Sequence, residues 1–209
     1  MALDAARKTS LSSTELGAFY SQIGSVKVFG TEQYSGGQCT IYKDPSDPDL
    51  QVKVAAVKRA VDKITQKGVA LPNGLRVYCT NAYAAQNRAF HRDAAWNAVA
   101  YVILGPKAVV GGRADAMSAT GLAGCNPPTI TCIHEIGHIL HEHHAGDIFW
   151  EKQSPITGVA PTTSAQVSGY AGQNSKEFVA EVFAGKVLGS VFAAAVDVEY
   201  NAFSGPPVP

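Results

Sequence analysis

One five-residue stretch restricts this chain more than any other feature: His134-Glu-Ile-Gly-His138. Residues four apart in a helix stand one turn apart on one face. His134 and His138 can therefore both reach a single metal ion if the stretch is helical. Ile133, Ile136, Ile139 and Leu140 give that helix an apolar face to bury. Zinc accepts imidazole nitrogen at about 2.0–2.1 Å and prefers four ligands. Glu135 follows the first histidine, so its carboxylate flanks the metal and can take a proton from the attacking water. H-E-x-x-H on a helix is the arrangement of metallopeptidases. A solvated, histidine-rich helix end would account for His141, His143 and His144, but not for Glu135 among them.

Two ligands do not complete a zinc site, and the third decides the class. His144 stands where H-E-x-x-H-x-x-G-x-x-H proteases place theirs. Those enzymes turn sharply at a glycine where this chain has His141, and they carry a methionine downstream, whereas Met1 and Met117 are both upstream. A basic residue closing a helix is the simpler reading of His144. Glu177 is the stronger candidate. Asn174-Ser-Lys-Glu177-Phe-Val-Ala-Glu181 sets two acids four apart on an otherwise apolar helix. Glu177 would ligate the metal, and Glu181 would accept the Nδ1–H of a ligand histidine and fix its tautomer. The competing reading makes Glu177 half of a capping box with Asn174 and leaves Glu181 exposed. Glu142 and Asp147 are lesser candidates, too close in sequence to fold back easily.

Together, His134-Glu-Ile-Gly-His138, Tyr170 and Glu177-Phe-Val-Ala-Glu181 resemble the catalytic domain of the anthrax lethal factor family, a gluzincin-like pattern shared by the small secreted Pro-Pro endopeptidases of clostridia. Tyr170 stands seven residues before Glu177, as in that family. The resemblance implies that His134, His138 and Glu177 bind Zn²⁺, that Glu135 is the general base and that Tyr170 donates a hydrogen bond to the oxyanion. It also implies a protease that is secreted or delivered into a target cell as a toxin or effector, acting alone or within a larger toxin. Val179 replaces the phenylalanine the family prefers, and the histidines after His138 are not a family feature. The match covers about residues 130–185. The N-terminal third carries no recognisable match.

The rest of the chain reads as mixed structure. Leu50, Val54, Val57, Val61 and Ile64 line one face of a helix, with Asp47-Pro48 at its start and Lys67-Gly68 at its end. Val26–Gly30, Cys39–Tyr42, Leu75–Cys79 and Asn97–Leu104 read as strands, with a turn at Tyr34–Gln38 and a further short strand at Lys107–Val110. The H-E-x-x-H helix is expected to start at a Thr129 or Thr131 cap and to reach about His144. Residues 151–169 read mostly as loop. A second helix is expected from Asn174 or Ser175 to about Val196, and Phe203–Pro209 reads as an irregular tail. Helices and strands do not alternate regularly, which favours α+β over α/β.

These readings combine into one α+β, zincin-like domain over residues 1–209. It would have a sheet-and-helix part at about 1–117, including a small mixed sheet, and a catalytic helical part at about 118–200. Lys107–Ala116 is the segment nominated to bind a peptide substrate as an added strand, with Arg113 and Asp115 alternatively guarding a sheet edge. With 17 basic and 17 acidic residues the net charge is zero, which argues against nucleic acid as a partner. No apolar run approaches the ~18–20 residues of a transmembrane helix, so membrane insertion is not expected. The start, Met-Ala-Leu-Asp, does not read as a signal peptide. Cys39, Cys79, Cys125 and Cys132 could form two disulfides or remain buried thiols. The expected function is zinc-dependent endopeptidase action on a protein or peptide. Its rivals are a zinc hydrolase of cell-wall peptides and a metal-stabilised binding module.

Overall fold

The computed structural model describes residues 30–81, 88–91, 100–109, 127–146 and 159–209. Gly36 and Gly37, at φ 64° and 87°, turn the chain between β1 (Gly30–Tyr34) and β2 (Cys39–Lys43), which pair antiparallel. Only glycine takes such angles without a steric cost. Helix α1 (Leu50–Gln66) then crosses to β3 (Leu75–Cys79), parallel to β2. The chain continues through β4 (Arg88–His91) and β5 (Ala100–Leu104). β5 lies parallel to β3 and antiparallel to β4, giving a mixed sheet of order β1-β2-β3-β5-β4. Among the described residues four more helices follow: α2 (Pro127–Ala145), the short α3 (Pro161–Ser164), α4 (Ser175–Leu188) and α5 (Ala194–Ala202). The class is α+β. No helix among the described residues is long and apolar enough to cross a membrane.

Alternation along the strands sorts the sheet faces. Ile41, Val77, Val102 and Leu104 join Val57, Val61 and Ile64 of α1 and Ile133 and Ile136 of α2 in one core. The other face carries Tyr42 stacked on Tyr78, with ring centroids 4.4 Å apart, and Tyr78 stacked on Tyr101 at 6.1 Å. α2 packs between the sheet, α1 and α4, so the H-E-x-x-H residues are carried on the central helix.

Several expectations need correction. The strand paired with β2 runs past the expected end at Gly30 to Tyr34, while Val26–Phe29 lie outside the described residues. Lys107 falls in a 3-10 turn, Pro106–Ala108, that starts from Gly105. No strand is therefore described at Lys107–Val110, and Val110–Ala116 lie outside the described residues. Helix α2 begins at Pro127, ahead of both expected caps. The second long helix does not reach Val196. It stops at Leu188 because Gly189 turns left-handed at φ 95° and Ser190 N–H closes back onto the Gly185 carbonyl at 2.8 Å. Cys39, Cys79 and Cys132 are buried free thiols, so two disulfides do not form. Burial pushes the Cys39 and Cys79 thiols up to about 12, leaving them unreactive.

A buried ion pair near the ends of β2 and β3 has no counterpart in the sequence reading. Lys53 is fully buried, with Nζ 2.6 Å from Asp47 Oδ2 and 2.6 Å from Asn81 Oδ1. Beside it, Thr80 donates to Asp44 at 2.6 Å. These contacts tie the start of α1 to the end of β3.

Candidate metal centre

Helix α2 supplies the two histidines as its periodicity requires. His134 is fully buried and His138 is partly exposed, with ring centroids 4.6 Å apart and planes nearly perpendicular. Helix α4 supplies the acid. Asn174 caps α4 by accepting from the Lys176 and Glu177 amides at 3.0 and 2.9 Å. The cap uses only the Glu177 main chain, and its side chain points to α2. Glu177 Oε2 lies 3.0 Å from His134 Nε2 and 3.3 Å from His138 Nε2. One donor atom from each of the three residues lies within 4.8 Å of the others. Burial would raise the Glu177 carboxyl, but the two imidazoles facing it, His138 foremost, outweigh that and hold the group far below the ordinary range.

Glu181, one turn further along α4, is 1% exposed and sets the His134 tautomer. Its Oε1 is 2.6 Å from His134 Nδ1, a contact that favours the proton on Nδ1 and leaves Nε2, on the Glu177 side, to meet a metal. Its other oxygen accepts from Ser168 at 2.8 Å. The purely exposed reading of Glu181 is thus overturned. Glu135 is 4% exposed on α2, between His134 and Ile136 in sequence. The Tyr170 ring lies 6.0 Å from the His134 ring, centroid to centroid, on the turn leading into α4.

Close approach of α2 and α4 makes this convergence possible. Gly137, inside the H-E-x-x-H run, faces Phe183 and Ala180 of α4, and a Cβ there would stand 2.8 Å from Phe183 Cδ1. His144, six residues beyond His138, is exposed at the end of α2 and lies outside the group. Glu142 is buried but is not part of it, and Asp147 is outside the described residues.

His141 differs from its expected place in a solvated helix end. It is 2% exposed, and its Nε2–H donates to the Phe203 carbonyl at 2.8 Å. Burial pushes its pKa down to about 3, so the ring is neutral. It anchors the C-terminal segment to α2. Two residues of the site had no signal in the sequence: Ser168, a serine in a loop, and Gly137, a helical glycine whose neighbour is set only by tertiary packing.

No family model, curated protein or solved structure matches this chain. Two imidazole nitrogens and a carboxylate oxygen, one imidazole locked by a further carboxylate, form a group that could hold a metal ion.

Proposed function

We propose that this chain is a zinc-dependent endopeptidase of zincin-like architecture, built on the plan of the anthrax lethal factor family. The observation that carries the reading is the convergence of His134, His138 and Glu177 from two helices, with Glu135 beside them. Zinc bonds of about 2.0–2.1 Å at tetrahedral angles set neighbouring donors about 3.3 Å apart. The separations of 3.0 and 3.3 Å from Glu177 Oε2 fit that spacing. Two histidines and one glutamate also leave the fourth position open, as catalytic zinc requires.

Zinc, when bound, supplies Lewis acidity to a scissile carbonyl and to the attacking water. The chain's own groups supply the rest. Glu135 takes the proton from the water and passes it to the leaving amine. The Tyr170 hydroxyl donates to the oxyanion as charge develops. Glu181 holds His134 in its ligating tautomer. A peptide substrate has a docking edge in β4, the terminal strand on the α2 side of the sheet, which is antiparallel to β5 and packs along α2. The Lys107–Ala116 segment, of which Val110–Ala116 lie outside the described residues, is the other strand-addition site. Secretion or delivery into a target cell accords with the family plan.

The test is a cleavage screen of a peptide library with wild type and Glu135→Gln. Wild type should cleave internal peptide bonds. Glu135→Gln should keep zinc and fold but lose turnover by at least about a thousandfold, an upper range for a general base acting with its oriented water. Equal biological activity of the two proteins would instead indicate a metal-stabilised binding module. Cleavage confined to cell-wall peptides would indicate the other hydrolase.

A further inference from the structure

We propose that Ser168 is a positioning residue that couples the metal-facing histidine His134 to the loop carrying Tyr170, through Glu181. The inference deepens the endopeptidase reading and rests on it. Ser168 lies between α3 and α4 and is 5% exposed. Its hydroxyl makes two directed bonds. It donates to Glu181 Oε2 at 2.8 Å and accepts from the Ala171 amide at 3.0 Å. A hydroxyl has one proton, so donation to the carboxylate leaves only its lone pairs for the amide. Glu181 Oε1 in turn lies 2.6 Å from His134 Nδ1. A continuous chain therefore runs from the Ala171 amide through the Ser168 hydroxyl and the Glu181 carboxylate to the His134 imidazole.

This chain accounts for two features together. Both oxygens of Glu181 are engaged from different elements, so the carboxylate is held at both ends rather than free to rotate. The residue that donates to Ser168 directly follows Tyr170, so the same hydroxyl fixes the peptide plane that launches the phenol. The Tyr170 ring stands 6.0 Å from the His134 ring, so a small swing of that peptide moves the phenol relative to the histidine pair. Buried hydrogen-bond networks of this kind set geometry with little tolerance.

The experiment uses the full chain with Ser168→Ala, Ser168→Thr, Glu181→Gln and the Ser168→Ala/Glu181→Gln double variant. Zinc affinity is measured by competition with a chromophoric chelator, kcat and KM on a peptide that wild type cleaves, and folding by thermal unfolding. Loss of a direct partner of a ligand histidine weakens binding about 10–100-fold. Ser168 acts one bond further out, so Ser168→Ala should weaken zinc about threefold to tenfold. It should lower kcat about tenfold with KM little changed, because Tyr170 acts in the transition state. Threonine keeps the hydroxyl and should recover most of both. In the Glu181→Gln background, Ser168→Ala should have little further effect on zinc affinity, since the path runs through Glu181. Zinc affinity and kcat both equal to wild type in Ser168→Ala would overturn the inference. So would full additivity in the double variant, or a threonine variant as impaired as alanine although folded. A wild-type chain that binds no zinc or cleaves no peptide would instead overturn the endopeptidase reading itself. In the second case, a zinc affinity that still falls in Ser168→Ala would retain the coupling from Ser168 to His134.

Discussion

Gly137→Ala adds one methyl group at the contact between the two helices that build the site. The new Cβ would stand 2.8 Å from Phe183 Cδ1, 3.4 Å from its Cγ and 3.6 Å from Ala180 Cα. Ordinary carbon contacts lie at about 3.5–4.0 Å, so the shortest of these must open by roughly 0.7 Å. Phe183 is fully buried, and the third contact is α4 backbone, so neither can swing into solvent. Alanine gains about 1 kcal/mol of helix propensity over glycine. Overpacking a well-filled core costs about 1–3 kcal/mol. The net is a loss of about 1 kcal/mol, or a Tm lower by about 2–4 °C for a chain of this size. The larger effect falls on the metal. Glu177 and Glu181 flank Ala180 on α4, so a retreat of α4 by a few tenths of an ångström changes donor separations that are now 3.0 and 3.3 Å. Zinc affinity should fall about tenfold, within the range seen for disturbed ligand support. Differential scanning calorimetry and chelator competition give the two numbers. Gly185→Ala is the control. Its Cβ would meet the Phe192 ring tip at 2.5 Å, on the part of α4 past the ligands, and it should leave zinc affinity unchanged. A Gly137→Ala protein with Tm and zinc affinity at or above wild type would refute the close-approach argument.

Other expectations follow from buried polar groups. Asp47→Ala strands the Lys53 ammonium in the core and should cost about 3–5 kcal/mol by denaturant unfolding, whereas the Asp47→Leu/Lys53→Met double variant strands neither charge and should cost far less; equal costs would contradict this. Asn174→Ala removes the α4 cap and should cost about 1 kcal/mol, read as a lower thermal midpoint. His141 is neutral when folded, with its pKa pushed down by burial to about 3, and titrates near 6.5 when unfolded. Its contribution to stability is therefore complete above about pH 6.5 and is lost as the pH falls toward 3, with a slope of about 1.4 kcal/mol per pH unit. His141→Gln keeps a donor for Phe203 but cannot titrate, so urea midpoints between pH 6.5 and 4.5 should fall less steeply in the variant than in wild type; parallel slopes would refute the assignment.

Features with a period were legible in the sequence, and features set by a distant neighbour were not. Helix α1 was readable because Leu50, Val54, Val57, Val61 and Ile64 share one buried stripe. The His134/His138 pair and the Glu177/Glu181 pair were readable because a spacing of four fixes a shared helix face. The end of β1 was read too early because Thr31–Gln33 is polar, while an edge strand needs only backbone pairing. The second long helix was extended past Gly189 because good helix formers lie on both sides, and a glycine inside a helix costs only about 1 kcal/mol. The break is set by the Ser190-to-Gly185 bond, which sequence pattern does not reveal. His141 resembled its exposed neighbours His143 and His144 until Phe203 was placed against it. Lys53 borders the apolar stripe of α1, and only the positions of Asp47 and Asn81 explain its burial. Ser168 belongs to the same class, since its partner Glu181 is on another element.

The central claim is that one metal ion is held by His134, His138 and Glu177. It is tested most directly by zinc content, measured by elemental mass spectrometry on purified wild type, Glu177→Ala and His144→Ala. Wild type and His144→Ala should each carry about one zinc per chain, and Glu177→Ala close to none. Zinc retained by Glu177→Ala and lost from His144→Ala would place the third ligand on α2 itself and contradict the two-helix site.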